Sequence, residues 1–176
     1  YRVSEETTAK IMGIMEKYDY TPNYSAQTLR SGNSHTIGVI LSDISNRFFS
    51  IISKSIMKYA QEQGYMVIFA NTDDDPHNLS KAVDMLSNKG VQGFIIVPCE
   101  GSEKTLTRYR NEGLPIVLLD RDFEDSGLSS VTLDNKEAGV MLTRELLKNG
   151  YEKVELVSYD TSLGIIIDRE TGYSEE

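Results

Sequence analysis

The chain has 176 residues, 39% of them hydrophobic and 26% charged, and a formal net charge of −9. That length suits one sizeable core, or one core with a short appendage, and the composition excludes a disordered tail. No uncharged apolar run approaches the roughly 18 residues of a membrane span. The opening residues do not read as a signal peptide. The single cysteine, Cys99, excludes an internal disulfide and favours a reducing compartment.

The first 35 residues differ from the rest. Arg2, Lys10, Lys17 and Arg30 balance Glu5, Glu6, Glu16 and Asp19, so the whole negative charge lies beyond them. Contact with a polyanion is therefore expected at this neutral end rather than on the acidic body. Ser4 is placed to cap a helix, with Glu5 and Glu6 in the first turn where the helix dipole favours them. Ile11, Ile14, Met15 and Tyr18 form its apolar side, and Thr21-Pro22 is expected to stop it. Residues 23–30 suit a further short helix before the loop 31–34. Two such helices bury no core of their own, so the appendage is expected to need a partner or to be disordered.

The body begins with an apolar strand at 36–41. Gly64, Gly90, Gly113 and Gly150 then each close a stretch of helical character and are each followed by an apolar run. Glycine past a helix end adopts the left-handed conformation without a Cβ penalty. The runs at 65–70, 94–97, 115–119 and 154–158 suit strands buried on both faces of a parallel sheet. With a further strand near Val131, the pattern is α/β: a doubly wound, mostly parallel sheet with a short helical N-terminal extension.

Helix starts agree with this reading. Asp75-Pro76 is an N-cap followed by proline at the first helical position, and Asp134 or Asn135 is placed to cap 138–147. The helix around 48–63 carries Phe49, Ile52, Ile56 and Ala60 on one stripe, flanked by Phe48, Ile51 and Tyr59. That stripe is wider than one sheet contact requires, and two readings stand: plain core, or a partial face for a second subunit. A last helix begins at 165–173.

Several chemistries find no support. There is no GxGxxG or GxxxxGK[ST] loop, so no cofactor is expected. Neither His35 nor His77 stands in a pattern that suggests a catalytic triad, and one cysteine with two histidines makes no structural metal site. Asp73-Asp74-Asp75 reads as a helix cap with solvated neighbours rather than a cation site. Ligands of open α/β sheets bind at strand carboxyl ends. Those ends carry Asp43 with Asn46, Asn71 with Asp73, Cys99 with Glu100, and Asp120-Arg121-Asp122, flanked by Phe48 and Phe49. Such a mixture suits a polyhydroxylated or heteroaromatic ligand, although polar residues collect at strand ends in any α/β protein.

From Val3 onward the chain resembles the LacI/GalR family of bacterial transcription repressors. The likeness rests on an ordered set of short matches. Val3-Ser4-Glu5-Glu6-Thr7 and Tyr20-Thr21-Pro22-Asn23 are similar to the last helix of the family's helix-turn-helix head and the turn after it. Residues 25–30, Ser-Ala-Gln-Thr-Leu-Arg, are similar to its hinge helix, and Thr36-Ile37-Gly38-Val39-Ile40 to its first core strand. Asp43-Ile44-Ser45-Asn46-Arg47-Phe48-Phe49 matches its D-I-x-N-x-F-F stretch. Asn71-Thr72-Asp73, residues 91–95, Leu119-Asp120-Arg121, Asp134-Asn135 with Gly139, and Arg169 with Gly172-Tyr173 continue the series.

The resemblance implies a head remnant at 1–22, a hinge helix and linker at 23–35, and at 36–176 the N-terminal lobe of a periplasmic-binding-protein type I-like core. The recognition helix and second lobe are expected to lie outside this chain. It further implies a cytoplasmic homodimer that binds operator DNA, with Leu29 as a minor-groove wedge, Ala26 one turn before it and Arg30 near phosphate. Gln27 stands where the family usually has a basic residue. A small-molecule effector, sugar-like, is expected against Phe48, Phe49, Asp120, Arg121 and Arg169, with a purine also compatible with the aromatic wall. A periplasmic sugar-binding protein shares the core fold, but the helical lead-in from Ser4 to Leu29 argues against it. An enzyme is disfavoured because no nucleophile–base pair is present.

Overall fold

The computed structural model describes residues 3–20, 33–123, 126–158 and 163–176. The chain divides into two compact units, Tyr1–Ser34 and His35–Glu176. In the first, helix α1 spans Glu5–Lys17, and the Ser4 hydroxyl accepts from the Thr7 backbone N–H as expected. The helix ends earlier than Thr21-Pro22 would stop it. Asp19 takes a left-handed φ of 49°, and the Tyr20 N–H donates to the Met15 carbonyl at 2.8 Å. That six-to-one bond satisfies an orphan carbonyl and reverses the chain before the proline is reached. Residues 23–30, expected as a hinge helix, lie outside the described residues.

The second unit is built on five parallel strands in the order β2-β1-β3-β4-β5. These are β1 (Thr36–Leu41), β2 (Met66–Asn71), β3 (Phe94–Ile96), β4 (Ile116–Asp120) and β5 (Ser129–Thr132). Five further helices are described: α2 (Arg47–Glu62), α3 (Pro76–Asn88), α4 (Glu103–Asn111), α5 (Asn135–Lys148) and α6 (Gly164–Glu175). The expected punctuation holds. At Gly64 φ is 78°, its N–H donates to Gln61, and the Tyr65 N–H reaches back to Ala60. The same closure recurs at Gly90, Gly113 and Gly150.

Alternation along the central strand divides the core. Ile40 joins Leu79, Val83, Leu86, Ile96, Leu106 and Leu118 on the face covered by α3 and α4. Val39 and Leu41 join Phe49 and Val97, under α2, on the other. On α2, Phe49 and Ala60 are buried, while Ile51, Met57 and Tyr59 are exposed.

One expected strand is absent. Residues 151–158 form no ladder among the described residues, and Val157 is 94% exposed. Instead the Tyr173 hydroxyl donates to the Val154 carbonyl at 2.7 Å, and Ser158 donates to Glu170. An apolar run becomes a strand only where a neighbour supplies ladder hydrogen bonds, and here the segment is tied to α6.

Helices α5 and α6 meet backbone to backbone. A Cβ on Gly139 would lie 2.3 Å from the Arg169 carbonyl oxygen, and one on Gly172 would lie 2.0 Å from that of Lys136. Only glycine permits this approach. The contact seats α6, and with it Arg169, against the start of α5.

Candidate ligand-binding crevice

Chain order reverses at β1. The path from β1 to β2 runs one way, and the path from β2 to β3 returns past it, which puts α2 and α3 on opposite faces. The loops at the carboxyl ends of the strands splay apart there and leave a crevice. One chamber, about 840 Å³, lies among Asp43, Asn46, Phe48, Asp74, Asp120, Arg121 and Arg169. A second, about 730 Å³, continues past Asp120 and Arg121 towards Asn135 and Asp168.

Each wall has a local cause. The Asn46 side chain caps α2 by accepting from the Phe48 N–H at 2.9 Å. Phe48 and Phe49 then sit edge to face, with ring centres 5.2 Å apart. They are not equivalent, because Phe49 is only 4% exposed and packs into the core, whereas Phe48 presents its ring. Asp43 accepts from both the hydroxyl and the backbone N–H of Ser45, which lowers its carboxyl below the usual range and keeps it ionised.

The floor is formed by Asp120 and Arg121. Asp120 ends β4 with φ at 70°, a left-handed conformation costing a non-glycine residue about 1 kcal/mol. The Arg121 N–H closes the tight turn onto the Leu119 carbonyl at 2.8 Å. This turn throws the Arg121 side chain across the end of β3. There its guanidinium grips Asp74 through two bonds of 2.7 and 3.1 Å and donates to the Pro98 carbonyl at 3.2 Å. Its Nε is buried without a hydrogen-bond partner, 3.9 Å from Asp120. Burial raises the Asp120 carboxyl above its usual range, against the pull of Arg121 and Arg169.

Arg169 enters from α6. Its Nε donates to Asn135 Oδ1 at 2.8 Å, and Asn135 in turn donates to the Leu133 carbonyl. Asp134 caps α5 through the Glu137 N–H, which leaves the Asn135 side chain for Arg169.

The five expected ligand-facing residues thus border one crevice, with Phe49 mostly behind its wall. Ala26, Leu29 and Arg30 lie outside the described residues. Sequence reasoning missed two participants. Asp74 is exposed beside the helix cap, as expected, but it also holds Arg121, from a left-handed φ of 56°. Asn135 was placed only as an alternative cap. The long separations of both from their arginines left no local signal. Among the described residues no group of His, Cys, Asp and Glu is arranged to hold a metal, and no helix is long and apolar enough to cross a membrane.

A parallel doubly wound sheet with a polar, arginine-lined crevice at its switch point defines a ligand-binding lobe. The chain belongs to the family of periplasmic binding proteins and the sugar binding domain of LacI family, which it matches over residues 34–176. It is 29% identical over 175 residues to the fructose operon regulatory protein of Vibrio cholerae, covering 99% of this chain and 54% of that protein. It therefore spans about half the length of the curated relatives it matches, which are named as transcription regulators rather than enzymes. Among solved structures, the transcription regulator CcpA of Lactococcus lactis aligns at a TM-score of 0.70 with 28% identity, over 80% of this chain and 52% of that one. The lac repressor dimer bound to operator and the anti-inducer ONPF aligns at 0.85 over 99% of this chain and 53% of that one. At 22% identity, the latter is a likeness of fold alone.

Proposed function

We propose that the protein is a cytoplasmic, DNA-binding transcription regulator, a repressor without enzymatic activity, whose operator affinity is set by a sugar-like effector. The crevice carries this reading: it lies at the switch point of a lobe of this family, with one exposed aromatic ring and two guanidinium groups around it. Planar guanidinium forks suit paired hydroxyl or carboxylate acceptors, and Phe48 gives the apolar face of a sugar ring a surface to stack on.

In this reading residues 1–22 belong to the DNA-binding head, 23–35 to the hinge and linker, and 36–176 to one lobe of the effector core. Phe48, Asp120, Arg121 and Arg169 contact the effector, with Phe49 backing the wall from the core. Two copies pair through the exposed side of α2, where Ile51, Met57 and Tyr59 lie uncovered. Leu29 from each copy wedges between base steps, with Ala26 and Arg30 beside it; unstacking a step costs a few kcal/mol and is offset by the added contact of bent DNA. Effector binding changes the geometry of the core and with it the spacing of the hinges.

The test is a fluorescence-anisotropy titration of the intact gene product against a palindromic operator fragment, beside Leu29→Ala. Nanomolar binding that collapses in the mutant is the expected result. Binding untouched by Leu29→Ala removes the hinge mechanism. Sugar binding with no affinity for any operator returns the protein to the periplasmic binding-protein reading.

A further inference from the structure

Resting on that reading of the crevice, we infer that the effector is an unphosphorylated sugar and that the site discriminates against sugar phosphates. The ledger of donors and acceptors carries the inference. Four carboxylates, from Asp43, Asp73, Asp74 and Asp120, line the Phe48 chamber against two guanidinium groups, Arg121 and Arg169. Asp74 and Arg121 answer each other through both carboxylate oxygens, which leaves Asp43, Asp73 and Asp120 against Arg169. The adjoining chamber adds four acidic residues, Glu100, Glu103, Asp122 and Asp168, and one lysine, Lys104.

A carboxylate accepts hydrogen bonds and offers none, so this lining asks its ligand for donors, while Arg169 asks for an acceptor. A sugar hydroxyl is both donor and acceptor and satisfies either. A phosphate monoester near neutral pH is a dianion whose oxygens only accept. It answers the arginines, leaves the carboxylates facing like charge, and must compete with Asp74 for Arg121. Like-charge juxtaposition of this kind costs several kcal/mol and acts as a specificity filter. An amine ligand fails in the opposite sense, because an ammonium group gives the guanidinium groups nothing to donate to.

The experiment is isothermal titration of the intact gene product with D-ribose, D-fructose and D-glucose, and with fructose 1-phosphate and glucose 6-phosphate. It runs at low and high salt, alongside the operator anisotropy assay. At least one free sugar is expected to bind about tenfold or more tighter than any phosphate ester, a difference of about 1.4 kcal/mol. The gap should narrow with added salt as like-charge repulsion is screened. It should also narrow in Asp43→Asn/Asp73→Asn, whose folding is checked by circular dichroism. A phosphate ester binding as tightly as every free sugar overturns the inference, and so does the absence of any sugar binding. A preference seen by calorimetry with no effect on operator binding upholds the selectivity and overturns the regulatory reading instead.

Discussion

Helices α1 and α3 have the same length, 13 residues, and both are opened by a side chain that accepts from the first turn, Ser4 in one and Asp75 in the other. Their fates differ. α3 buries Leu79, Ala82, Val83 and Leu86, whereas α1 buries no residue, and Ile11, Met12 and Ile14 stand exposed. What supports α1 is local: the Ser4 cap, the acidic first turn, the Lys10–Glu6 pair at 2.8 Å, and the reversal at Asp19. A helix of this length held only by local terms is marginal in water. Amphipathic spacing thus announces that a helix has an apolar side; what covers that side is decided elsewhere in the chain.

The contrast can be broken most sharply from the α3 side. Leu79 is fully buried, and Leu79→Ala should cost the body about 2–5 kcal/mol through lost transfer energy and a cavity, read as a lower urea midpoint. Gly172→Ala should cost about 1–3 kcal/mol or more, because its new methyl meets backbone, which cannot rotate away. The same melt, with loss of ligand affinity from a displaced Arg169, would check it. Ser4→Ala should cost α1 about 1 kcal/mol of cap energy. Helical signal should fall while the midpoint of the body stays put; a shift of that midpoint would show that the two units are energetically coupled. Ile14→Ser, on the exposed side of α1, should move stability by no more than about 0.5 kcal/mol.

The smallest effect should be favourable. Burial raises the Asp120 carboxyl, so the folded protein binds that proton more readily than the unfolded chain does. The stabilisation from this group is complete below its ordinary value of 3.8 and is lost as pH rises through the raised native value. Asn tolerates the left-handed backbone and carries no charge to desolvate. Asp120→Asn should therefore melt slightly higher than the parent near neutral pH, with the advantage disappearing in acid. A midpoint that falls at neutral pH would mean that attraction to Arg121 and Arg169 outweighs burial.

Most of the sheet was readable from the sequence because its signals are local. A glycine after a helix, an apolar run after the glycine, and Asp75-Pro76 or Asp134 before the next helix each lie within a few residues of what they specify. The failures share one cause. The run at 154–158 has strand composition, but its ladder partner is not encoded nearby. Phe48 and Phe49 were read as one wall, yet adjacent positions on a helix point about 100° apart and only one ring can face the crevice. Arg121 and Arg169 both border the crevice, but their partners stand 47 and 34 residues away. No spacing rule reveals that Asp74 occupies one and Asn135 orients the other.

The close seat of α6 on α5 also bears on how such a lobe can change over generations. Gly139 rests directly beneath the Arg169 carbonyl, so the arginine's main chain is fixed by a neighbour that admits one residue type. Two of the polar residues that share its chamber are under no such restriction: Asp43 and Asp73 are exposed side chains. Substitutions at those positions are therefore cheap to the fold and open to drift or design. The two glycines beneath them are a fixed chassis, and a library built on this lobe should randomise the former and leave the latter untouched.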